Sequence, residues 1–140
     1  MHHRFLRIVR PTVAAVACLA LATASAVEEN TEVKSVRIAR TYGSQAMGPS
    51  RLVVWLGVEE PYLLDLPPGC TDLTRDPASA LTSHRRQLQA GTDAVLTATA
   101  RCPIVAVRRA DRRELEATGI RRAGAQPLRV VPANPTPKAR

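Results

Sequence analysis

Two cysteines, one histidine and a few acids are the residues of this chain that could do chemistry. Cys70 closes the segment "PYLLDLPPGC", and Cys102 opens "CPIVAVRR" 32 residues later. A cysteine can act as a nucleophilic thiolate, as a metal ligand or as half of a disulfide. Nucleophilic catalysis needs a base beside the thiol. Beyond residue 26 the only histidine is His84, in the polar turn "SHRR", and nothing in the sequence places it beside Cys70. A metal centre needs three or four ligands at a workable spacing, and two distant cysteines with one histidine do not supply them. Pairing of Cys70 with Cys102 is the remaining reading. It would close a loop of about 33 residues and stabilise the fold by about 3–4 kcal/mol on a chain-entropy argument.

The other polar candidates read as structural. Asp93, after Gly91, fits a turn or a strand opening. Glu59 and Glu60 are adjacent, so they point apart in an extended hairpin. Trp55 lies in a β-prone apolar run and reads as core. A small hydrolase using His84, Asp93 or Asp72 is the alternative to a non-enzymatic module. No nucleophile-elbow, phosphate-loop or zinc-helix motif occurs, and no cofactor or metal is expected.

The N-terminus bears on the redox state of the cysteines. Arg4, Arg7 and Arg10 precede an uncharged stretch that runs to Val27, and Ala24-Ser25-Ala26 offers small residues for cleavage. This is the layout of a secretory signal over residues 1–26. The stretch is too short for a spanning helix, which needs about 20 apolar residues. Cleavage before Cys18, giving a lipoprotein, is the alternative. Removal of Cys18 with the signal leaves an even cysteine count, as an oxidised pair outside the cytoplasm requires. A periplasmic or secreted location is expected.

The elements that must position these residues are short. "KSVRIAR" (34–40) alternates as a half-buried strand. "YGSQAMGPS" reads as a loop, punctuated by Gly43, Gly48 and Pro49. "RLVVWLGVEEPYLLDL" reads as a central hairpin, with Asp65 on a wet outer face. "CTDLTRDP" holds room for one helical turn. Ala80–Ser83 and Gln87–Ala90 flank "HRR" as two strands, "DAVLTATA" alternates as another, and "CPIVAVRR" reads as a last strand with Pro103 at an edge. Asp111 then caps a short helix, with Glu114 completing a capping box and Gly119 ending it. The expected fold is mainly β: a small sandwich or partly open barrel of about five to seven strands, one short C-terminal helix and one disulfide.

Of the 20 basic residues, 12 lie in 27–119, against all 12 acids, so this single domain is neutral. Residues 120–140 hold Arg121, Arg122, Arg129, Lys138 and Arg140, four prolines and no acid. That composition predicts a disordered basic tail, whose removal after Gly119 should leave stability unchanged. Its charges could rest on an anionic cell-surface component or envelope protein. Arginine richness in an exported chain gives little support for nucleic-acid binding.

The order of "LVVWLGVEEPYLLDLPPGCTDL" and "AGTDAVLTATARCPIVAV" resembles a family of small exported proteobacterial proteins of unknown function. The matching residues are Tyr62, Leu63, Leu64, Leu66, Cys70 and Leu73, then Gly91, Asp93, Val95, Cys102 and Ile104. Thr92 stands where that family often has a large aromatic. The resemblance implies export and a paired-cysteine β domain, and brings no activity, cofactor or site.

Overall fold

A computed structural model describes residues 32–133. The expected signal segment and its Cys18 alternative lie outside the described residues. Alternation in the central hairpin organises the fold. Strand β3 (Arg51–Trp55) and β4 (Pro61–Asp65) pair antiparallel, with Leu52 opposite Leu64 and Val53 opposite Leu63. Strands β2 (Gly43–Gly48) and β9 (Ala106–Arg109) flank them, giving a sheet of order β2-β3-β4-β9. A second sheet has the order β10-β5-β7-β8, built from β5 (Ala80–Ser83), β7 (Ala94–Leu96), β8 (Arg101–Pro103) and β10 (Arg129–Pro132). Strands β1 (Ser35–Arg37) and β6 (Gln87–Gln89) pair separately. The described chain is thus mainly β, with no closed barrel and with ten strands rather than the expected five to seven.

Side chains two apart on a strand share a face, so the hairpin feeds two cores. Leu52, Val54 and Leu64 join Leu81, Leu88, Val95, Ile104 and Val107 between the sheets. Val53, Trp55 and Leu63 face the other way, against Ala110, Leu115 and Ile120. The outer face expected to be wet is therefore largely covered. Helix α1 (Arg112–Ala117) covers it through Leu115, its buried residue. Asp111 accepts from the Arg113 amide at 3.3 Å, as the capping signal predicts. Glu114 also forms a two-pronged pair with Arg108 of β9, at 2.9 and 2.6 Å. This pair, with the guanidinium hydrogen bonds first, holds the Glu114 carboxyl below its ordinary pKa.

Three expectations differ from the structure. The "YGSQAMGPS" stretch is strand β2 and not a loop. Its glycines mark strand irregularities: the ladder shifts between Ala46 and Gly48, and Gly43 (φ +114) lies so near the Gln126 carbonyl that a Cβ would sit 2.6 Å from it. "CPIVAVRR" is two strands in two sheets. The chain crosses at Ile104–Val105, whose amides donate to the carbonyls of Asp93 and Asp65. "DAVLTATA" ends as a strand at Leu96, and Thr97 begins a turn in which its amide donates to the Ala100 carbonyl at 2.9 Å.

The largest correction concerns residues 120–133, expected to be disordered. Ile120 and Leu128 are buried, a 3₁₀ turn spans Arg122–Gly124, and β10 lies parallel to β5 with Val130 beside Leu81. Gln126 exchanges two backbone hydrogen bonds with Ser44, at 2.7 and 2.9 Å, covering the edge of β2. A few apolar residues suffice here because the partner surface is already built. Composition alone, averaged over the segment, hides them. Lys138 and Arg140 lie outside the described residues.

Two carboxylates pin the loops around the disulfide. The expected helical turn forms at Asp72–Asp76, where the Asp76 amide donates to the Asp72 carbonyl at 2.8 Å. The Asp72 carboxylate accepts from the hydroxyl and amide of Thr74. The Asp76 carboxylate crosses to the β7–β8 turn, where it accepts from the amides of Ala98 and Thr99 and from the Thr99 hydroxyl. Hydrogen bonding lowers both pKa values, from Thr74 at Asp72 and from Thr97 and Thr99 at Asp76. A depressed carboxylate stabilises above its unfolded pKa, near 3.9, and that contribution is lost as pH falls through the lower folded value. These contributions should therefore be lost progressively on acidification, from about pH 5 downward through the lowered values. Asp76→Asn should flatten this acid limb in thermal melts from pH 2 to 6, whereas an unchanged slope would show that Asp76 does not contribute to it.

Candidate functional site

The cysteines are joined: Cys70 and Cys102 form a disulfide with a Cα–Cα distance of 5.8 Å. It ties the loop after β4 to β8, linking the two large sheets. Cys102 is fully buried. The polar candidates remain apart. His84 is exposed in the β5–β6 turn and makes no ion pair among the described residues. Asp93 is buried, and its carboxylate accepts from the Thr82 hydroxyl at 3.1 Å and the Gln89 amide at 2.8 Å. Asp72 is occupied by Thr74 and Arg75. Glu59 and Glu60 are exposed at the hairpin tip. Among the described residues no three His, Cys, Asp or Glu side chains gather as a metal site. No helix there is long and apolar enough to cross a membrane.

The concave feature with a consistent chemical character is a groove of about 400 Å³ between residues 38–41 and β10. Its apolar floor includes Ile38, Leu128 and Val130, and its rim carries Arg40, Arg86 and Arg129, with no acid in the lining. Such a volume falls within the range of about 300–1,000 Å³ common for ligand sites. Local geometry explains how the rim is built. The Ile38 amide donates to the Arg86 carbonyl at 2.8 Å, tying the segment after β1 to the β5–β6 turn. Thr41 donates its hydroxyl to the Leu128 carbonyl at 3.2 Å, closing one end. Arg40 lies over the Tyr42 ring, 5.5 Å from its centroid. None of the three rim arginines forms an ion pair among the described residues.

The turn that presents Arg86 is unusual. His84 and Gln87 exchange backbone hydrogen bonds at 3.1 and 2.9 Å, leaving Arg85 and Arg86 as a two-residue hairpin turn. Both have positive φ, +50 and +61. Such turns favour Asn-Gly, because a side chain costs roughly 1–2 kcal/mol in the left-handed region. Two arginines stand here instead.

A second hollow of about 280 Å³ lies beside Trp55, lined also by Val58, Glu59, Pro61, Arg112, Leu115 and Arg122. It mixes both charge signs. Arg122 is committed there, donating to the Val58 carbonyl at 2.6 Å and lying 5.5 Å from the Tyr42 ring. Of the proposed tail cations, Arg129 thus joins the groove, Arg122 clamps a loop, and Arg121 precedes the 3₁₀ turn. Arg40 and Arg86 escaped the sequence reading. The signal that could have revealed Arg86 was the "HRR" flanked by two strands, which forces a tight turn, whereas no local signal marks Arg40.

A family model described as a family of unknown function (DUF6491) matches residues 1–126. The match takes in residues 38–41 and Arg86 and stops before β10. No curated protein and no solved structure matches the chain.

Proposed function

Because the chain belongs to DUF6491, a family of unknown function, we propose its role from its own geometry: an exported, non-enzymatic module that binds an anionic envelope component in the arginine-rimmed groove. The Cys70–Cys102 disulfide supports export, since such links persist in oxidising compartments. A periplasmic location after removal of residues 1–26 belongs to the same reading. The observation that carries the binding role is the Arg85–Arg86 turn. A conformation that opposes side chains is kept at the rim of a groove, and local strain of this kind gathers at functional sites. Guanidinium groups suit carboxylate and phosphate, with planar donors that do not lose their charge.

Replacing Arg85 and Arg86 by Asn-Gly tests the idea. The variant should be more stable by about 1–2 kcal/mol in denaturant melts. It should also bind an anionic envelope fraction about fivefold more weakly for each groove cation lost, or about 1 kcal/mol. Residue-resolved titration of the natural chain with that fraction should perturb residues 38–41, Arg86 and 128–131. Unchanged binding by the variant, or perturbation confined to another surface, would refute the assignment. An intact-mass measurement on exported material should show the chain beginning at Val27.

A further inference from the structure

Resting on the groove just assigned, we infer that its ligand is an extended acidic peptide segment, which adds a strand to the outer edge of β10. Sheet edges attract extended chains unless they are covered. The edge of β2 is covered by Gln126, and that of β9 by Val33, whose amide donates to the Val107 carbonyl at 2.7 Å. The edge strand β8 is short and carries Pro103. Strand β10 differs. The amides of Arg129 and Ala133 donate to the carbonyls of Ser79, just before β5, and of Ser83 at its end. The period of two then turns the amide and carbonyl of Val130 away from β5. Among the described residues, neither has a backbone partner. Val130 also lines the groove, so this unpaired edge of β10 adjoins it.

The chemistry selects the ligand class. A free phosphate or a lipid headgroup would satisfy the arginines but would leave the Val130 amide and carbonyl unmatched. A peptide in extended form supplies both an acceptor and a donor at the spacing of a strand, with side chains alternating between floor and rim. The apolar floor takes its apolar residues. Arg40, Arg86 and Arg129 complement acidic ones, and no acid in the lining opposes them. Pro132 has no amide proton, so the added ladder ends there and the recognised segment is short.

The probe is an end-blocked peptide of four Glu-Val repeats, titrated into the full mature chain and followed by residue-resolved NMR. Binding is expected to shift residues 38–41, Arg86 and 128–131, and to slow hydrogen exchange of the Val130 amide at least tenfold. Gln-Val repeats should bind at least tenfold more weakly. Two backbone-methylated peptides, one methylated on every Glu and one on every Val, should differ by at least tenfold, since only one set of amides faces β10. Val130→Pro should lose the peptide but still bind inorganic phosphate as the natural chain does. If that variant does not fold, the methylated pair decides. Equal affinity of both methylated forms would overturn strand addition. Phosphate or phosphatidylglycerol vesicles shifting the groove without any peptide effect would overturn the peptide and keep the anion site. No groove perturbation by peptide, phosphate or vesicles would remove both readings.

Discussion

A chain ending at Gly119 is expected not to fold cooperatively. The cut removes Ile120 from beneath helix α1, Leu128 from the main core and β10 from β5. Burial of two such side chains contributes about 3–6 kcal/mol. The ladder to β5 and the Gln126–Ser44 hydrogen bonds go as well. Against a domain stability of about 5–15 kcal/mol this is a large share. The melting temperature should fall by at least about 15 °C, or the transition should disappear. Ile120→Asp and Leu128→Asp should each reproduce part of the loss by placing a charge in apolar surroundings. A truncated chain melting within a few degrees of the full one would show that residues 120–133 are dispensable, as their composition predicts.

Removal of the disulfide is expected to have the next largest effect. Cys70→Ala with Cys102→Ala, or reduction of the native chain, reopens a loop with a separation of 32 residues. The unfolded state then gains freedom worth about 3–4 kcal/mol, equivalent to a fall of roughly 12–30 °C for a domain of this size. The double substitution also leaves Cys102's place in the core underfilled, which adds to the loss. Melting curves with and without reductant measure the first contribution, and the double variant measures the sum. An unchanged curve after verified reduction would mean that the two sheets hold their relation without the link.

Much of the local structure was legible because it depends on near neighbours. The hairpin of β3 and β4 follows from β-prone runs around "GVEEP". The helix follows from Asp111, Glu114 and Gly119, whose capping chemistry acts within one turn. The cysteine pair follows from the absence of better partners for Cys70 and Cys102, and from the even count expected if Cys18 leaves with the signal segment. What was misread depends on distant chain. Gly43 looks like loop punctuation until Gln126 is seen against β2, and Gly48 until the ladder to β3 is seen to shift there. Pro103, Ile104 and Val105 look like continuous strand, and only the two sheets decide that the chain crosses between them there.

By itself the sequence determined the β character, the short capped helix and the central hairpin, since each rests on propensity or capping over a few residues, and it offered the covalent link by elimination among the other roles for Cys70 and Cys102. Tertiary structure alone decided the place of residues 120–133 and the site. Ile120 and Leu128 find their burial against surfaces made by residues far earlier in the chain. Arg40, Arg86 and Arg129 are scattered in sequence. They become one cationic rim because a left-handed turn, the irregular segment after β1 and a parallel edge strand meet there, and no local pattern records that meeting.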